Sequence, residues 1–180
     1  DGEAGPAVPG TTVRRISEDR ARQAPDAVAL RFGTEQLSYS TLNQRADRLA
    51  RFLRRRGLRR GGLVVVSMER SPDLIVAMLA VLKAGGAYVP VEPSAPEPLI
   101  RRAVDSTRPF AVLTHENQRV RLADAVDSPL LCLDTDAAEI AGQPAEPLAA
   151  DVGTRDLACV FFTSGSSGPP KGSLIEHGNL

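Results

Sequence analysis

The chain has 180 residues, of which 42% are apolar and 24% are charged, and its 22 basic and 22 acidic side chains cancel. These proportions are typical of a folded globular protein and exclude a disordered tail. The zero net charge argues against a nucleic-acid or membrane binder that is held by bulk charge. The longest apolar run, residues 74–82, is too short to cross a bilayer.

The first residues and the cysteines indicate the setting of the protein. Residues 1–12 are rich in Gly, Pro and Thr, which predicts a leader or an interdomain linker. They show no basic region followed by an apolar stretch, so no signal peptide is expected. Cys132 and Cys159 lie far apart in apolar runs and fit no zinc or CxxC spacing. We therefore expect two reduced core cysteines in a cytoplasmic protein.

From residue 12 onward, strand patterns alternate with helix patterns. Strands are expected at residues 27–32, 36–38, 63–67, 87–89, 110–114, 130–133 and 157–162, and helices at residues 12–23, 39–56, 72–83 and 99–106. Four prolines in residues 90–98 predict an extended, irregular crossing, and residues 134–156 predict a long polar connection. The alternation predicts an α/β fold in which helices cover both faces of a parallel or mixed sheet.

Local signals set the ends of two of these helices. Ser38 can cap the helix at 39–56, whose apolar stripe recurs at three- and four-residue steps, and Gly57 can end it. Ser71, Pro72 and Asp73 supply the next helix with a cap, a proline at the first position and an acid in the first turn. That second helix is apolar nearly all round, so we expect it to be buried.

Several charged residues are weaker candidates for a function. The basic run at residues 51–60 could bind nucleic acid, but a solvated helix end favoured by the helix dipole explains it better. Lys83 closes a buried helix, where the terminal carbonyls attract a cation, and we assign it no chemistry. His115 and His177 lack metal-ligand spacing and are expected to be surface or capping groups. Glu176 is expected to be a solvated acid at a strand end.

Residues 163–172 combine four hydroxyls, three glycines and one lysine directly after a strand. Glycines let successive backbone amides approach an anion, and hydroxyls add donors. Lys171 is one of only two lysines among the 22 basic residues, so a mobile ammonium has been placed here rather than a planar guanidinium. Pro169 and Pro170 cannot donate a hydrogen bond but stiffen the arm that carries Lys171. The pattern predicts a loop that binds phosphate groups.

Other interpretations of this segment are less satisfactory. The P-loop pattern needs glycine directly before the lysine and Ser or Thr after it, whereas Pro170 and Gly172 stand there. The chain contains no GxGxxG, so dinucleotide binding by that route is unsupported. A flexible Gly/Ser linker remains an alternative. Apolar strand-like segments on both sides, the second at residues 174–175, favour a loop that is held in place.

The segment 163–172 resembles the phosphate-binding signature of adenylate-forming, AMP-binding enzymes. Residues 37–50 and 82–90 resemble the first core motifs of adenylation domains of nonribosomal peptide synthetases, in matching order and spacing. The resemblance covers about residues 12–180. It departs from the family pattern at Thr41, where glutamate is usual, and after the second motif at Glu92.

The resemblance implies that the parent protein uses ATP and Mg²⁺ to activate an amino-acid carboxylate as an acyl-adenylate. A phosphopantetheine thiol on a partner carrier domain then captures the acyl group. The residues implied in binding the phosphates are Thr163, Ser164, Gly165, Ser166, Ser167, Gly168, Lys171 and Gly172. Residues 1–12 are then the leader or linker, and residues 13–180 form the N-terminal portion of an adenylation domain, cut just after the loop.

Two alternatives stay open at this point. The parent protein could be an acyl-CoA or aryl-acid ligase of the same superfamily, which differs in the acid that it activates. The chain could also be a truncated remnant without catalysis that binds only a nucleotide or a partner. In the family, several groups needed for adenylation lie downstream of the loop, so we expect the 180-residue chain alone to be inactive.

Overall fold

The computed structural model describes residues 11–163 and 171–180. Its elements, in chain order, are α1 (Val13–Gln23), β1 (Val28–Phe32), β2 (Glu35–Ser38), α2 (Tyr39–Arg56), β3 (Leu63–Val66), α3 (Pro72–Lys83), β4 (Ala87–Pro90), α4 (Glu97–Thr107), β5 (Ala111–Thr114), α5 (Glu116–Ala125), β6 (Leu130–Cys132), α6 (Ala137–Ala141), β7 (Leu157–Thr163) and β8 (Lys171–Glu176). A short 3-10 helix, His177–Asn179, follows β8. None of the helices among these residues is long and apolar enough to cross a membrane.

The main sheet has six strands in the order β6-β5-β3-β4-β7-β8. All neighbouring pairs are parallel except β7 and β8, which form an antiparallel hairpin at one edge. β1 and β2 form a separate antiparallel pair. The predicted mixed sheet is therefore confirmed, with one antiparallel strand.

Helices cover both faces of this sheet, as the alternation of elements predicted. On one face α2 and α3 pack together, and Leu49, Leu53 and Val81 are at most 2% exposed there. On the opposite face α4 and α5 contribute Ile100 and Leu122 to a second buried cluster. The strands between them are buried on both sides, which explains their continuous apolar runs.

The predicted helix ends are confirmed at both caps. The Ser38 hydroxyl accepts a hydrogen bond from the Thr41 amide at 3.2 Å, and the Ser71 hydroxyl accepts one from the Leu74 amide at 3.3 Å. Gly57 follows α2 with φ of 112°, a left-handed conformation that suits glycine. These ends depend on side chains within a few residues of the helix, so the sequence predicts them well.

The connection at residues 134–156 is more structured than predicted, because it contains α6 and is bound to α2. Arg51 donates to the Glu146 carbonyl at 2.9 Å, and Arg55 donates to the Gln143 side chain at 3.2 Å. Arg56 forms a 2.5 Å ion pair with Glu139. The basic run therefore binds the connection to α2, so the interpretation as a solvated helix end is incomplete.

Lys83 is buried for a reason other than the one predicted. Its ammonium lies 2.8 Å from Oδ1 of Asp47 and 3.3 Å from Oε1 of Glu18. Asn43 donates to the other oxygen of Asp47 at 2.9 Å. The lysine thus joins α3 to α2 and α1 through buried ion pairs, and the expectation that the helix carbonyls hold it was wrong.

Candidate functional site

The hydroxyl-rich loop is closed at its base by paired strands. Thr163, the last residue of β7, pairs with Lys171, the first residue of β8, and Phe162 pairs with Gly172. The two ends of the loop therefore stand side by side, as in a hairpin. This favours the prediction of a held loop over that of a flexible linker.

The hairpin places the two ends of this loop at the carboxyl edge of the sheet. β7 runs parallel to β4, so the end of β7 at Thr163 lies on the same side as the carboxyl ends of β3, β4, β5 and β6. In open α/β sheets, ligands bind in the crevice outside this edge. The loop therefore starts and ends where the fold class binds ligands.

Most of the predicted phosphate-binding groups lie in the segment between β7 and β8. Ser164, Gly165, Ser166, Ser167 and Gly168 lie outside the described residues, as do the side chains of Thr163 and Lys171. The assignment of these groups to phosphate binding stays a prediction.

Gly172 is the one predicted site residue whose surroundings are described. A Cβ at this position would lie 3.3 Å from Cγ1 of Val160 and 3.7 Å from the ring of Phe162. Glycine thus lets the first residues of β8 pack tightly on β7. Gly172 contributes to the closure of the hairpin, and its assignment to phosphate binding stays a prediction.

A groove of about 230 Å³ adjoins the base of the loop. It is lined by Phe162, which directly precedes Thr163, by Pro90 at the end of β4, and by residues of α4 that include Arg102. The groove is mainly apolar, with Glu92 and Arg102 as its charged members. It provides an apolar wall beside Phe162, at the base of the loop.

The proline-rich crossing beside this groove is held by a residue that the sequence did not single out. Arg121 on α5 donates to the backbone carbonyls of Pro93 and Ala95. Its partners are 28 and 26 positions away in the chain. No local signal could have found Arg121, because α5 itself was not predicted.

Neutral groups support the hairpin from within the sheet. Tyr88 on β4 pairs in register with Cys159 on β7. Burial raises the pKa of the Tyr88 phenol and that of the Cys159 thiol, so both groups stay protonated at neutral pH. Cys132 and Cys159 are free and buried, as predicted. Tyr88 and Cys159 therefore supply no charge beside the hairpin, whereas Cys132 lies on β6 at the other edge of the sheet.

The predictions for His115, His177 and Glu176 have different outcomes. His177 is only 2% exposed, so the prediction of a surface group was wrong, and burial lowers its pKa. His115 precedes α5 at the N-cap position without a capping bond, and its Nε2 lies 3.1 Å from Oδ2 of Asp73. Glu176 is exposed at the end of β8, as predicted.

Comparison with known proteins gives the family. A family model described as "AMP-binding enzyme" matches residues 17–180. The chain is 39% identical over 166 residues to tyrocidine synthase 3 of Brevibacillus parabrevis, covering 92% of this chain and 3% of that protein. It is 37% identical over 170 residues to bacitracin synthase 3 of Bacillus licheniformis, covering 94% of this chain and 3% of that protein.

Solved structures agree with the sequence relatives. The nonribosomal peptide synthetase FmoA3, in its alpha-methyl-L-serine-AMP bound form, superposes with a TM-score of 0.84 at 33% identity, covering 97% of this chain and 19% of that one. The Klebsiella oxytoca NpsA N-terminal subdomain in complex with anthranilyl-AMSN superposes with a TM-score of 0.79 at 28% identity, covering 93% of this chain and 42% of that one.

The chain thus spans only a small part of the proteins that it matches. The family match nevertheless covers most of the chain, and the sheet, the hairpin and the sequence motifs agree with it. This chain belongs to the family of AMP-binding, adenylate-forming enzymes.

Proposed function

We propose that this chain is the N-terminal portion of an adenylation domain of a nonribosomal peptide synthetase. Residues 13–180 form this portion, and residues 1–12 are a leader or interdomain linker. The parent protein activates the carboxylate of an amino acid with ATP as an acyl-adenylate. It then transfers the acyl group to the phosphopantetheine thiol of a carrier domain.

The observation that carries this proposal is the closure of the loop at the carboxyl edge. Thr163 and Lys171 are paired, so the seven residues between them begin and end at neighbouring positions of the sheet. A glycine-rich segment whose ends are held together in this way can form an anion-binding concavity from successive amides. The likeness to the peptide synthetase FmoA3 over 97% of the chain supports the amino-acid branch of the family.

The donors in this loop fit a polyphosphate. Backbone amides are available from Ser164 to Gly168, four hydroxyls lie in residues 163–167, and Lys171 brings the single ammonium. Such donors suit β- and γ-phosphate oxygens, whose charge grows as pyrophosphate departs. We therefore assign Thr163, Ser164, Ser166, Ser167 and Lys171 to the phosphates.

We infer that Mg²⁺ binds together with the substrate phosphates rather than in a cage of protein ligands. Across residues 11–163 and 171–180, no group of three or more His, Cys, Asp or Glu side chains is arranged to hold a metal. Mg²⁺ usually binds substrate phosphates with one or two carboxylates, which is compatible with that finding. The ion supplies charge neutralisation on the phosphates, and we assign no residue of this chain to it.

The reaction has two steps. A carboxylate oxygen of the amino acid attacks the α-phosphorus of ATP, and the bond to the bridging oxygen breaks to release pyrophosphate. The loop amides and Lys171 stabilise the negative charge that develops on the leaving group. In the second step the carrier thiol attacks the acyl carbonyl, a thioester forms, AMP leaves and the thiol proton is released.

Pyrophosphate exchange in the intact parent protein tests this proposal. With its amino acid present, the parent protein should incorporate labelled pyrophosphate into ATP. Lys171→Ala should lower the exchange rate by about 100-fold or more, the usual effect of removing one transition-state donor. Arg119→Ala is the matched control, because Arg119 is a half-exposed cation on α5, away from the hairpin. Equal exchange by the Lys171→Ala variant and the parent protein would reject the role of Lys171.

An aryl-acid ligase is the second candidate. The likeness to NpsA, whose structure holds anthranilyl-AMSN, favours it. The same exchange assay separates the candidates, since exchange that depends on an aryl acid and on none of the amino acids would favour this ligase. If no carboxylate tested supports pyrophosphate exchange in a parent protein that is shown to be folded, the non-catalytic remnant is favoured.

A further inference from the structure

The proline-rich crossing leaves the sheet next to the strand that leads into the hydroxyl-rich loop. Residues 91–96 of the crossing connect β4 to α4, and β4 pairs with β7. Val91 and Ala95 line the same groove as Phe162 of β7. All three side chains pack against one buried cluster. A shift of the crossing therefore changes the packing of Phe162, which directly precedes Thr163.

Backbone hydrogen bonds anchor the start of the crossing to the sheet. The Val91 amide donates to the Val66 carbonyl at the end of β3, at 3.0 Å. Farther along, the Ala95 amide donates to the Glu92 carbonyl at 2.9 Å, a bond within the crossing itself. Pro93, in the middle of the crossing, has no amide hydrogen to donate. The position of this middle part therefore depends on contacts from other elements.

Arg121 binds the middle of the crossing from α5. One terminal nitrogen of its guanidinium donates to the Pro93 carbonyl, and the other donates to the Ala95 carbonyl. The planar guanidinium holds these two donors in a rigid fork, so it fixes both the place and the direction of this segment. The next residue, Leu122, is 1% exposed and packs α5 against the sheet. Arg121 therefore couples the position of the crossing to a helix that is itself held by the core.

We propose that Arg121 is a positioning residue for ATP binding in the parent protein, an inference that rests on the proposed adenylation function. Arg121 holds the crossing, the crossing packs beside Phe162, and Phe162 holds the end of β7 where the loop begins. Without Arg121 the crossing is free to shift, and the base of the loop loses its lateral support. A misplacement of about 1 Å that arises far from the reacting atoms can cost about 100-fold in rate. For this indirect contact we expect about a tenfold loss of ATP affinity.

Titration calorimetry of the intact parent protein with Mg²⁺ and ATP, in the absence of any amino acid, tests the proposal. Arg121→Met removes the fork but keeps an unbranched apolar stem, and it should weaken ATP binding by about tenfold. Arg121→Lys keeps an ammonium that can donate to one of the two carbonyls, so it should recover part of this affinity. Arg119→Met is the matched control, because Arg119 is a half-exposed cation on the same helix and pairs with Glu116 at 3.5 Å. The control should leave ATP binding unchanged.

Pyrophosphate exchange separates positioning from a purely structural role. In the Arg121→Met variant the KM for ATP should rise by about tenfold, which indicates lost binding of ATP. The KM for the amino acid should stay unchanged, because the loop is assigned to the phosphates alone. A loss of folded protein would instead lower the apparent kcat and leave both KM values unchanged. The thermal midpoint of the Arg121→Met variant should match that of the Arg119→Met variant.

Three results would overturn the proposal. These are unchanged ATP affinity in the Arg121→Met variant, an equal loss of affinity in the Arg119→Met variant, and a fall in kcat with both KM values unchanged. The second result would show that any cation on α5 attracts ATP, and the third would make Arg121 a residue of folding only. Failure of the adenylation proposal looks different, because the unsubstituted parent protein would then show neither ATP binding nor exchange with any carboxylate. That result would remove this inference as well.

Discussion

The buried pair of Lys83 and Asp47 offers a stability test with a magnitude set by the structure. The two side chains are 1% and 0% exposed, and Nζ lies 2.8 Å from Oδ1. Lys83→Met keeps a similar length but removes the ammonium, so Oδ1 loses its charged donor while Asn43 still binds Oδ2. Breaking a buried pair in this way costs about 3–5 kcal/mol of unfolding free energy.

Urea unfolding at neutral pH measures this cost. The double variant Lys83→Met/Asp47→Leu is the control, because it replaces both charges with apolar groups. Such replacements are often neutral or stabilising, so most of the lost stability should return. A loss below about 1 kcal/mol in the single variant would refute the reasoning, since it would match an exposed pair. A double variant that is no more stable than the single variant would also refute it.

The pH dependence of the single variant gives a second check. Burial raises the pKa of Asp47, and the nearby Lys83 ammonium opposes this rise. Without Lys83, the folded pKa of Asp47 should rise further above its unfolded value. A carboxyl group whose folded pKa is raised binds protons more readily in the folded state, so stability increases as the pH falls through that pKa. The difference in unfolding free energy between the Lys83→Met variant and the unsubstituted chain should therefore become smaller at acidic pH.

Three further predictions concern the packing of single residues. Burial lowers the pKa of His177 in the folded state, so the unfolded chain binds a proton there more readily. The unfolding free energy should therefore fall as the pH drops below about 6.5. The His177→Gln variant should lose this pH dependence. The Thr114 hydroxyl is buried without a partner among the described residues, so Thr114→Val should raise the unfolding free energy by about 1 kcal/mol in urea. Gly86→Ala should lower it by about 1–3 kcal/mol, because the new Cβ would lie 2.8 Å from the Gly62 carbonyl oxygen. Gly153→Ala, where nothing lies within 4 Å of a new Cβ, is its control and should change stability little. A fall as large in the Gly153 variant would contradict the packing argument.

Much of the fold follows from signals that act over a few residues. Ser38 and Ser71 cap helices through amides three positions away, and Gly57 ends α2 with its own backbone conformation. The strands at the centre of the sheet are short apolar runs, which suits burial on both faces. α5 and α6 were missed. α6 is only one turn and a half long, and α5 is polar along much of its length.

The candidate site, too, was predicted only in part from the sequence. The composition of residues 163–172 predicts an anion-binding loop, and this stays a prediction. The antiparallel direction of β8 and its pairing with β7 could not be predicted from two apolar residues at 174–175. The contact between Arg121 and the proline-rich crossing could not be predicted either, because it joins segments that are distant in the chain.

By itself the sequence determined the alternation of elements and the helix caps, and it predicts the chemistry of the loop, because each of these depends on residues that are neighbours in the chain. Tertiary structure decided which charged groups are paired and which are buried. Lys83 meets Asp47 from 36 positions away, Arg14 meets the Ala150 carbonyl from 136 positions away, and His177 is buried against distant segments. The physical reason is that desolvation and ion pairing depend on distance in space, and the packing of helices and strands decides which distant residues come close.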